Sequence, residues 1–471
     1  MENEQNEKLD SENGNLKETS ANPPHWYGVR HSQMILLSFL PFLAYGMRVN
    51  MSVGIVAMTD KKASPNPAVP TYEWSDQSLI LSSFFMGYFI PQAAAGVLAK
   101  NYGPKWVIAA SFGVNSLMAI VMPFSASLGS WAVIVCRVFQ GIGQGFLYPC
   151  IHQILAKWVP PLERARLGTF VYSGANLGTV ISMSFTGWLS GSWVGWPWAF
   201  YIYGAVGLLW TIVWIVLGKN SPAQHQTINP QERKYIEVSL GSTEGGVTPP
   251  TPWKAIFTSV PFWALLIVHS GQSWGFTTLL TNIPSYMSNV LDFDIRKNGA
   301  LSAGPYLVFW IFSLASATIS DFAVSRNYVT TGFARKMSNS IALCVPGVGL
   351  TVLGIIGDAK WDITDVALAL LFISVGFNGS STCGYHMNHM DLSPVHSGTL
   401  MGITNGIGNF FGVLAPLLLQ VIVTEQSNPL QWAIVFYIAS AIYIITNGIF
   451  VVFGSGEIQP WNNVDGDEKR R

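Results

Sequence analysis

Twelve long apolar segments, joined by polar connections, constrain this chain more than any other feature of its sequence. A helix needs about 20 largely apolar residues to cross the hydrocarbon core of a bilayer. The segments that meet this requirement are 32–58, 77–99, 105–127, 130–155, 167–190, 197–218, 261–288, 299–321, 337–357, 363–387, 398–423 and 431–454. Only 11% of the residues are charged, against roughly 25% in globular proteins. We therefore predict an all-α membrane protein with twelve transmembrane helices.

A single long polar interruption, residues 219–260, divides the predicted spans into two groups of six. Sequence patterns after the second and fourth spans recur after the eighth and tenth, as expected for two related bundles around a central site. The predicted organisation is a disordered cytoplasmic tail at 1–29, an N-terminal six-helix bundle at 30–218, a cytoplasmic central loop at 219–260, a C-terminal six-helix bundle at 261–454 and a cytoplasmic tail at 455–471.

The distribution of lysine and arginine predicts the orientation of the chain. With the N-terminus in the cytoplasm, 18 of the 25 basic residues lie in cytoplasmic segments, five lie in outer loops and two lie within spans. Cytoplasmic loops of membrane proteins carry an excess of basic residues. We therefore predict that both termini are cytoplasmic and that the protein is a multi-pass membrane protein.

Several classes of site have no support in the sequence. The four cysteines, Cys136, Cys150, Cys344 and Cys383, lie in apolar runs and are predicted to be small buried residues rather than disulfide partners. No phosphate-binding loop of the ATPase type, no cysteine and histidine cluster with zinc spacing and no nucleophile with a base stand out. We predict that the chain is not an enzyme, holds no metal, binds no nucleic acid and is a monomer in the lipid bilayer.

Six sequence motifs carry a resemblance to a known family. They are MRVNMSVGIVAMTD (47–60), SSFFMGYFIPQAAAG (82–96), CRVFQG (136–141), KWVPPLERARLGT (157–169), NHMDLSPVHSGTLMGITNGIG (388–408) and FGSGEIQPW (453–461). Together they resemble solute carrier family 17, the anion:cation symporters of the major facilitator superfamily, from about residue 30 to residue 461. The resemblance implies a symporter of inorganic phosphate or small organic anions, of the type I sodium/phosphate or inorganic phosphate cotransporter kind. It implies no cofactor beyond a coupling ion.

Arg48 and Arg137 are the only basic residues deep within apolar sequence. Burying such a charge costs about 2.5–3.5 kcal/mol on insertion scales, so each guanidinium needs a partner. No aspartate or glutamate lies in the middle of any predicted span. Because guanidinium groups bind carboxylate or phosphate through paired hydrogen bonds, we predict a small anion between the two arginines. The alternative is that each arginine pairs with a helix-end carbonyl and only locks the bundle. The resemblance assigns both positions to substrate binding.

Polar and aromatic side chains within the spans are the further candidates for lining this site. They are Tyr88, Gln140, Gln144, Tyr148, Gln272, Trp274 and Tyr306, and their alternative role is packing between helices. Sialin-like and vesicular glutamate transporters have a glutamate where this chain has Gln144, and sialin-like members have another at Gln140. Since an amide cannot take up a proton, the resemblance favours sodium over protons as the coupling ion.

Candidate coupling residues are few. His152, His269 and His386 are the titratable side chains in or near spans, and His152 is preferred because it follows Arg137 by about four helical turns. Asn405 and Asn409 could supply uncharged oxygens to Na⁺, or pack helices closely. The residues predicted to form an intracellular gate or brace are Lys100, Lys105, Glu163, Arg164, Arg166, Asp321 and Arg326.

Three alternatives remain open from sequence. One is a proton-coupled exporter of sialic acid or acidic amino acids from lysosomes or vesicles. The location of the protein therefore also remains open between the plasma membrane and a lysosomal or vesicular membrane. The others, from a different class, are an anion channel and a receptor that binds an anion without transporting it.

Overall fold

The protein folds entirely into helices within the part of the chain that the structure describes. The computed structural model describes residues 26–61, 63–74, 76–240, 250–290, 295–357, 364–425 and 427–463. Helices of the first half are α1 (Val29–Thr59), α2 (Gln77–Phe89), α3 (Gln92–Tyr102), α4 (Pro104–Leu128), α5 (Ser130–Gly145), α6 (Leu147–Trp158), α7 (Arg164–Ser190) and α8 (Trp196–Leu217). Two shorter helices, α9 (Pro230–Leu240) and α10 (Trp253–Thr258), follow in the connection.

The second half repeats this pattern of long helices. Its elements are α11 (Val260–Asn289), α12 (Ile295–Ser325), α13 (Thr331–Gly357), α14 (Thr364–Asn378), α15 (Tyr385–Leu392), α16 (Ser397–Ile422) and α17 (Pro429–Phe453). Each predicted span coincides with one helix or with a consecutive pair, which confirms the predicted all-α fold. By length and hydropathy, seven helical stretches of the described chain could each cross a membrane. One of these stretches, Asp365–Leu392, runs from α14 through a turn into α15, and the bent pair α2 and α3 makes an eighth candidate.

Three predicted spans are broken, which the apolar pattern did not predict. The second bends by 53° where α2 gives way to α3, at Pro91, a residue that cannot donate to the helical ladder. The fourth breaks between α5 and α6, where the ring of Pro149 opposes the carbonyl of Gly145 four residues earlier. The tenth passes through a 3₁₀ turn at Gly379–Thr382 before α15 begins.

Each half has its own apolar core. Leu37, Phe112 and Trp214 are buried in the first, and Phe262 and Tyr443 in the second. The methionines of α15 cross this division, because Met387 and Met390 pack with the core of the first half. The four cysteines are free thiols, and Cys136, Cys150 and Cys383 are buried as predicted, whereas Cys344 is only partly buried.

Both ends of the described chain lie at the same end of the bundle, which we call the inner end. The backbone N–H groups of Val29 and Arg30 donate to Glu232 of α9, and that of Gln459 donates to Leu392 at the end of α15. That the inner end faces the cytoplasm stays a prediction. Most of the predicted terminal tails, 1–25 and 464–471, and residues 241–249 of the central loop lie outside the described residues.

Candidate functional site

Arg48 of α1 and Arg137 of α5 lie against the same aromatic ring. Their guanidinium carbons are 4.6 and 4.8 Å from the ring centre of Phe84 in α2. Arg48 also lies 4.5 Å from the ring of Tyr45 and 4.7 Å from that of Tyr88. Ring faces attract a cation without neutralising it. The fold therefore brings the two predicted arginines together in an aromatic cage.

The polar partners of these arginines are uncharged. Arg48 Nε donates to Gln144 Oε1 at 3.3 Å, and Arg137 Nη1 donates to Gln140 Oε1 at 3.2 Å. Arg137 is 2% exposed, and its Nε has no hydrogen-bond partner in the described part of the protein. Among the described residues neither arginine forms an ion pair with a carboxylate. A buried cation, Arg137, and a partly buried one, Arg48, thus share one site, with no carboxylate between them among the described residues.

Gln144 is held in a fixed orientation. Its amide nitrogen donates to Ala44 O at 2.8 Å and to Asn115 Oδ1 at 3.3 Å, so its oxygen is left to face Arg48. A carboxylate in this position would meet two acceptors. The surroundings of Gln144 therefore suit an amide.

The predicted lining residues fall into two groups. Tyr88 and Tyr148 join the arginine site, since Tyr148 donates at 3.0 Å to the hydroxyl of Tyr45. The others, Gln272, Trp274 and Tyr306, lie in the second half, and no described contact joins them to the arginines.

Gln272 belongs to a buried amide cluster in the second half. Its Nε2 donates to Asn378 Oδ1 at 2.5 Å, and the Nδ2 of Asn378 donates to the hydroxyl of Tyr443. Tyr306 packs its ring near Phe276, and its own hydroxyl has no described partner. The second half thus contributes neutral polar groups where the first half contributes cations.

Sequence reasoning missed three residues of the arginine site, namely Tyr45, Phe84 and Asn115. Helical spacing offered a signal for two of them. Tyr45 precedes Arg48 by three residues and Phe84 precedes Tyr88 by four, so each shares a helix face with a predicted residue. No such signal marks Asn115, which reaches the site from α4.

Asn405 connects the two halves rather than presenting free oxygens. Its Nδ2 donates to Tyr88 Oη at 3.1 Å and to Gln92 Oε1 at 3.0 Å, while its Oδ1 accepts from Asn409 Nδ2 at 3.0 Å. The two asparagines therefore use each other and the first half as partners. No group of histidine, cysteine, aspartate and glutamate side chains in the described residues has the geometry of a metal site.

The predicted histidines lie together in one buried cluster at the seam between the halves. His152 comes from α6, His269 from α11 and His386 from α15, and His389 of α15 joins them although sequence reasoning did not single it out. The ring of His152 lies 5.2 Å from that of His386 and 5.2 Å from that of His389. The His269 ring lies 5.7 Å from that of His389. We call these four residues the histidine cluster.

A network of buried charges closes the inner end. Asp391 Oδ1 accepts from Arg164 Nη1 at 2.9 Å, across the seam, and Asp391 Oδ2 accepts from Arg335 Nε at 2.7 Å. Asp321 accepts from the backbone N–H groups of Ala165 and Arg166 at the start of α7. A carboxylate at a helix N-terminus is favoured by unpaired N–H groups and by the helix dipole. We call these contacts the inner brace.

A second charge network lies within the first half. Arg30, which is fully buried, donates to Glu163 at 2.7 Å and to Glu232 at 2.9 Å. Glu163 also lies 3.7 Å from Arg166. This network ties α9 to the starts of α1 and α7.

The remaining gate residues contribute unequally. Lys100 Nζ lies 3.5 Å from His396 Nδ1 across the seam; burial, with Lys100 nearby, lowers the pKa of His396 to about 4. By contrast, Lys105 lies over the ring of Trp106 and Arg326 over that of Phe322, each within its own helix. For these last two, the described contacts do not cross the seam.

Comparison with known proteins gives a consistent picture. The family model of the Major Facilitator Superfamily matches residues 34–416. A Drosophila melanogaster protein named "Putative inorganic phosphate cotransporter" is 40% identical over 464 residues, covering 92% of this chain and 87% of that protein. Human sialin is 34% identical over 459 residues, with 92% and 90% of the two chains covered.

A solved structure supports the fold independently of sequence. The proton:xylose symporter XylE, bound to 6-bromo-6-deoxy-D-glucose, superimposes with a TM-score of 0.68 and covers 91% of this chain and 97% of its own. Because the two sequences are 14% identical, this likeness concerns the arrangement of helices alone.

Proposed function

The chain belongs to the major facilitator superfamily and, within it, to solute carrier family 17, and from this membership we propose that it carries a small anion held between Arg48 and Arg137. Like its relatives, it is a multi-pass membrane transporter and not an enzyme. The observation that carries the proposal is the pair of guanidinium groups, Arg137 buried and Arg48 partly buried, that share the Phe84 ring and hydrogen-bond to side-chain amides without a carboxylate partner among the described residues.

Chemistry favours inorganic phosphate or a small organic acid as the anion. Guanidinium groups match the oxygens of phosphate and carboxylate in paired hydrogen bonds, and Arg137 Nε is a buried donor that still lacks a partner. The cotransporter name of the Drosophila relative supports phosphate. The likeness to sialin supports a sugar acid as the alternative.

Alternating access supplies the mechanism. The described hydrogen bonds between the halves run from the Tyr88–Asn405 contact to the inner brace, so the inner end is closed. Rocking of one half against the other, with the anion at their boundary, would open the inner end and close the outer one. We place both termini in the cytoplasm, and either the plasma membrane or a lysosomal or vesicular membrane fits this scheme.

The coupling ion is the point at which the structure changes our expectation. Sequence favoured Na⁺, but the oxygens of Asn405 and Gln92 accept hydrogen bonds from neighbouring amides. The histidine cluster instead places four imidazole side chains, which are able to take up and release a proton, at the seam. Proton coupling, with Na⁺ coupling as the competitor, is therefore the version we propose.

Reconstitution of the purified chain into liposomes tests the proposal. Sodium, proton and voltage gradients are imposed separately, with radiolabelled phosphate, sialic acid and glutamate as the panel. We expect concentrative uptake of phosphate or sialic acid under one ion gradient. Anion currents without accumulation would indicate a channel. Binding without flux would indicate a receptor, and either result would contradict the proposal.

Replacing one guanidinium tests the site itself. We expect Arg137→Gln to weaken the apparent affinity for the transported anion at least tenfold, which corresponds to about 1.4 kcal/mol, because one of two cations is lost. Lys254→Gln, which removes an exposed positive charge at the inner end, is the control and is expected to leave affinity unchanged. Equal affinities in Arg137→Gln and wild type would disprove the role of Arg137.

A further inference from the structure

The hydrogen-bond partners of the histidine cluster assign a tautomer to three of its four rings. His152 Nε2 lies 2.9 Å from the backbone oxygen of His386 and therefore donates to it. Its Nδ1 then accepts from the hydroxyl of Tyr172 in α7. Both nitrogens of His152, the residue preferred from sequence, are thus already in use.

The same argument extends to the opposite side of the cluster. His389 Nδ1 lies 3.0 Å from the same backbone oxygen of His386 and donates to it. His389 Nε2 then accepts from the hydroxyl of Thr404 at 2.7 Å. Since that hydroxyl has a single proton, His269 Nδ1, at 3.0 Å from Thr404, must donate to it. A chain of neutral rings runs from Tyr172 to His269.

His386 differs from the other three rings. It is 9% exposed, and its Nδ1 is buried without a hydrogen-bond partner in the described part of the protein. A buried nitrogen with no partner is costly and rare in native structures. A proton added at this nitrogen breaks no hydrogen bond recorded among the described residues.

Each helix packed against His386 presents an uncharged group to its ring. These groups are Tyr148 and His152 from α6, Tyr172 from α7, His269 from α11, and Tyr385 and His389 from α15 itself. Among the described residues, no carboxylate or basic side chain forms a recorded contact with this ring. An imidazolium formed here would therefore be a buried charge without a counterion.

Two tyrosines connect this ring to the anion site. The Tyr148 ring lies 6.0 Å from that of His386, and its hydroxyl donates to Tyr45. The ring of Tyr45 in turn lies against Arg48. A change of charge at His386 is thus two side chains away from the arginines.

We propose that His386 binds the coupling proton at Nδ1, in place of the carboxylates that Gln140 and Gln144 have replaced. This inference rests on the proposed anion transport and specifies its coupling. The proton enters from the outer side while the inner end is closed. The positive charge on His386 is unfavourable inside the buried histidine cluster, so His152 and His386 move apart and the inner end opens. The proton then leaves to the inner side with the anion.

The experiment uses the full chain in liposomes with radiolabelled phosphate, or sialic acid if phosphate is not exchanged. Exchange of labelled for unlabelled anion at equal pH measures the anion site alone. Accumulation driven by a proton gradient, without Na⁺, measures coupling. We expect His386→Asn, whose amide reaches about the position of Nδ1, to keep exchange within about threefold of wild type and to lose at least nine tenths of the accumulation.

A control and a second variant make the result decisive. His225→Asn changes a histidine of the connecting loop, whose ring lies near Trp158, and should accumulate anion as wild type does. His386→Gln gives an independent uncharged ring replacement if the asparagine variant is poorly folded by thermal melting, and the same loss is expected.

The outcomes separate the two levels of the proposal. Wild-type accumulation that is driven by Na⁺ and ignores the proton gradient would overturn the role of His386 but not the anion transport. Full accumulation by either His386 variant would do the same. A wild-type chain without any exchange would overturn both.

Discussion

The resemblance to sialin-like transporters implies that the arginine site of this chain differs from theirs in the neighbours of the two cations rather than in the cations themselves. Gln144 and Gln140 each point an amide oxygen at a guanidinium group, where sialin-like transporters are expected to have glutamates. An amide leaves the positive charge in place for a ligand, whereas a carboxylate neutralises it. A single substitution can therefore test the difference.

We expect Gln144→Glu to make anion binding depend on pH. At pH 7.5 the new carboxylate would pair with Arg48 and weaken the apparent affinity for the anion about tenfold or more. At pH 5.5 the protonated carboxyl would donate to Ala44 O, as the amide does, and affinity would recover to within about threefold of wild type at the same pH. Uptake titrations at both pH values measure this.

The control for this prediction is Gln77→Glu. It introduces the same carboxylate at the outer start of α2, where the Gln77 amide donates only to Trp74 O. If the apparent affinity of Gln144→Glu for the anion, divided by that of wild type, is the same at both pH values, the new carboxyl does not interact with Arg48.

Sequence predicted the cations of this site but not the cage around them. Arg48 and Arg137 stand out because basic residues are rare and costly in apolar segments. Aromatic residues make up 13% of the chain, so the four-residue spacing between Phe84 and Tyr88 is too weak a signal to single out Phe84. The free nitrogen of His386 depends on backbone contacts between helices that are distant in sequence, and no residue pattern reports those.

At the scale of helices, the breaks in the second, fourth and tenth spans lie next to candidate functional side chains. The break between α5 and α6 separates Arg137 from His152, and the 3₁₀ turn before α15 directs His386 and Asp391 toward the first half. Discontinuous helices at matching positions of two halves commonly mark transport sites. Hydropathy predicted the spans because it averages over about 20 residues, and for the same reason it missed the breaks.

Asp391 holds α7 and α13 together through their arginines, so Asp391→Asn tests the inner brace. Removing the negative charge of Asp391 leaves the buried side chains of Arg164 and Arg335 without their shared carboxylate. Removing one partner of a buried ion pair costs about 3–5 kcal/mol. We expect a lower melting temperature and faster alkylation of Cys383, which is fully buried and whose backbone oxygen accepts from Arg335. Mass spectrometry after N-ethylmaleimide treatment measures the labelling.

Asp365→Asn, at the exposed start of α14, is the matched control and should label as slowly as wild type. If Cys383 in Asp391→Asn also reacts at the wild-type rate, the brace does not hold the inner end closed.

The connecting helix α9 depends on one buried carboxylate. Glu232 accepts from two backbone N–H groups of α1 and from the side chain of Arg30. Glu232→Gln removes one of the two carboxylates that pair with Arg30, and we expect the free energy of unfolding to fall by about 1–3 kcal/mol, with faster tryptic cleavage after Arg233 or Lys234. Glu237→Gln, on the same helix but paired only with the half-exposed Arg233, should be cleaved as wild type is. Equal cleavage of both variants would contradict this account of α9.

At the scale of the whole molecule, the protein is two helical halves that meet at their inner ends. The sequence was sufficient to predict the spans, because these follow from hydropathy alone. It could not predict which ends meet, since contact across the seam depends on close approach of backbones. The small residues of α3 and α16 permit that approach, as in other closely packed membrane helices.

Gly402 of α16 lies where this approach is tightest, and Gly402→Ala therefore tests the closed inner end as a whole. An added methyl group would overlap the backbone oxygen of Gln92, which cannot move without displacing α3. We expect the equilibrium to shift toward the state that is open at the inner end, with faster alkylation of Cys383 and slower anion exchange. Gly448→Ala is the control, because a methyl group there meets no atom within 4 Å. If Cys383 is alkylated at the wild-type rate in Gly402→Ala, α3 and α16 accommodate the methyl group without opening the inner end. The inner brace alone would then hold that end closed.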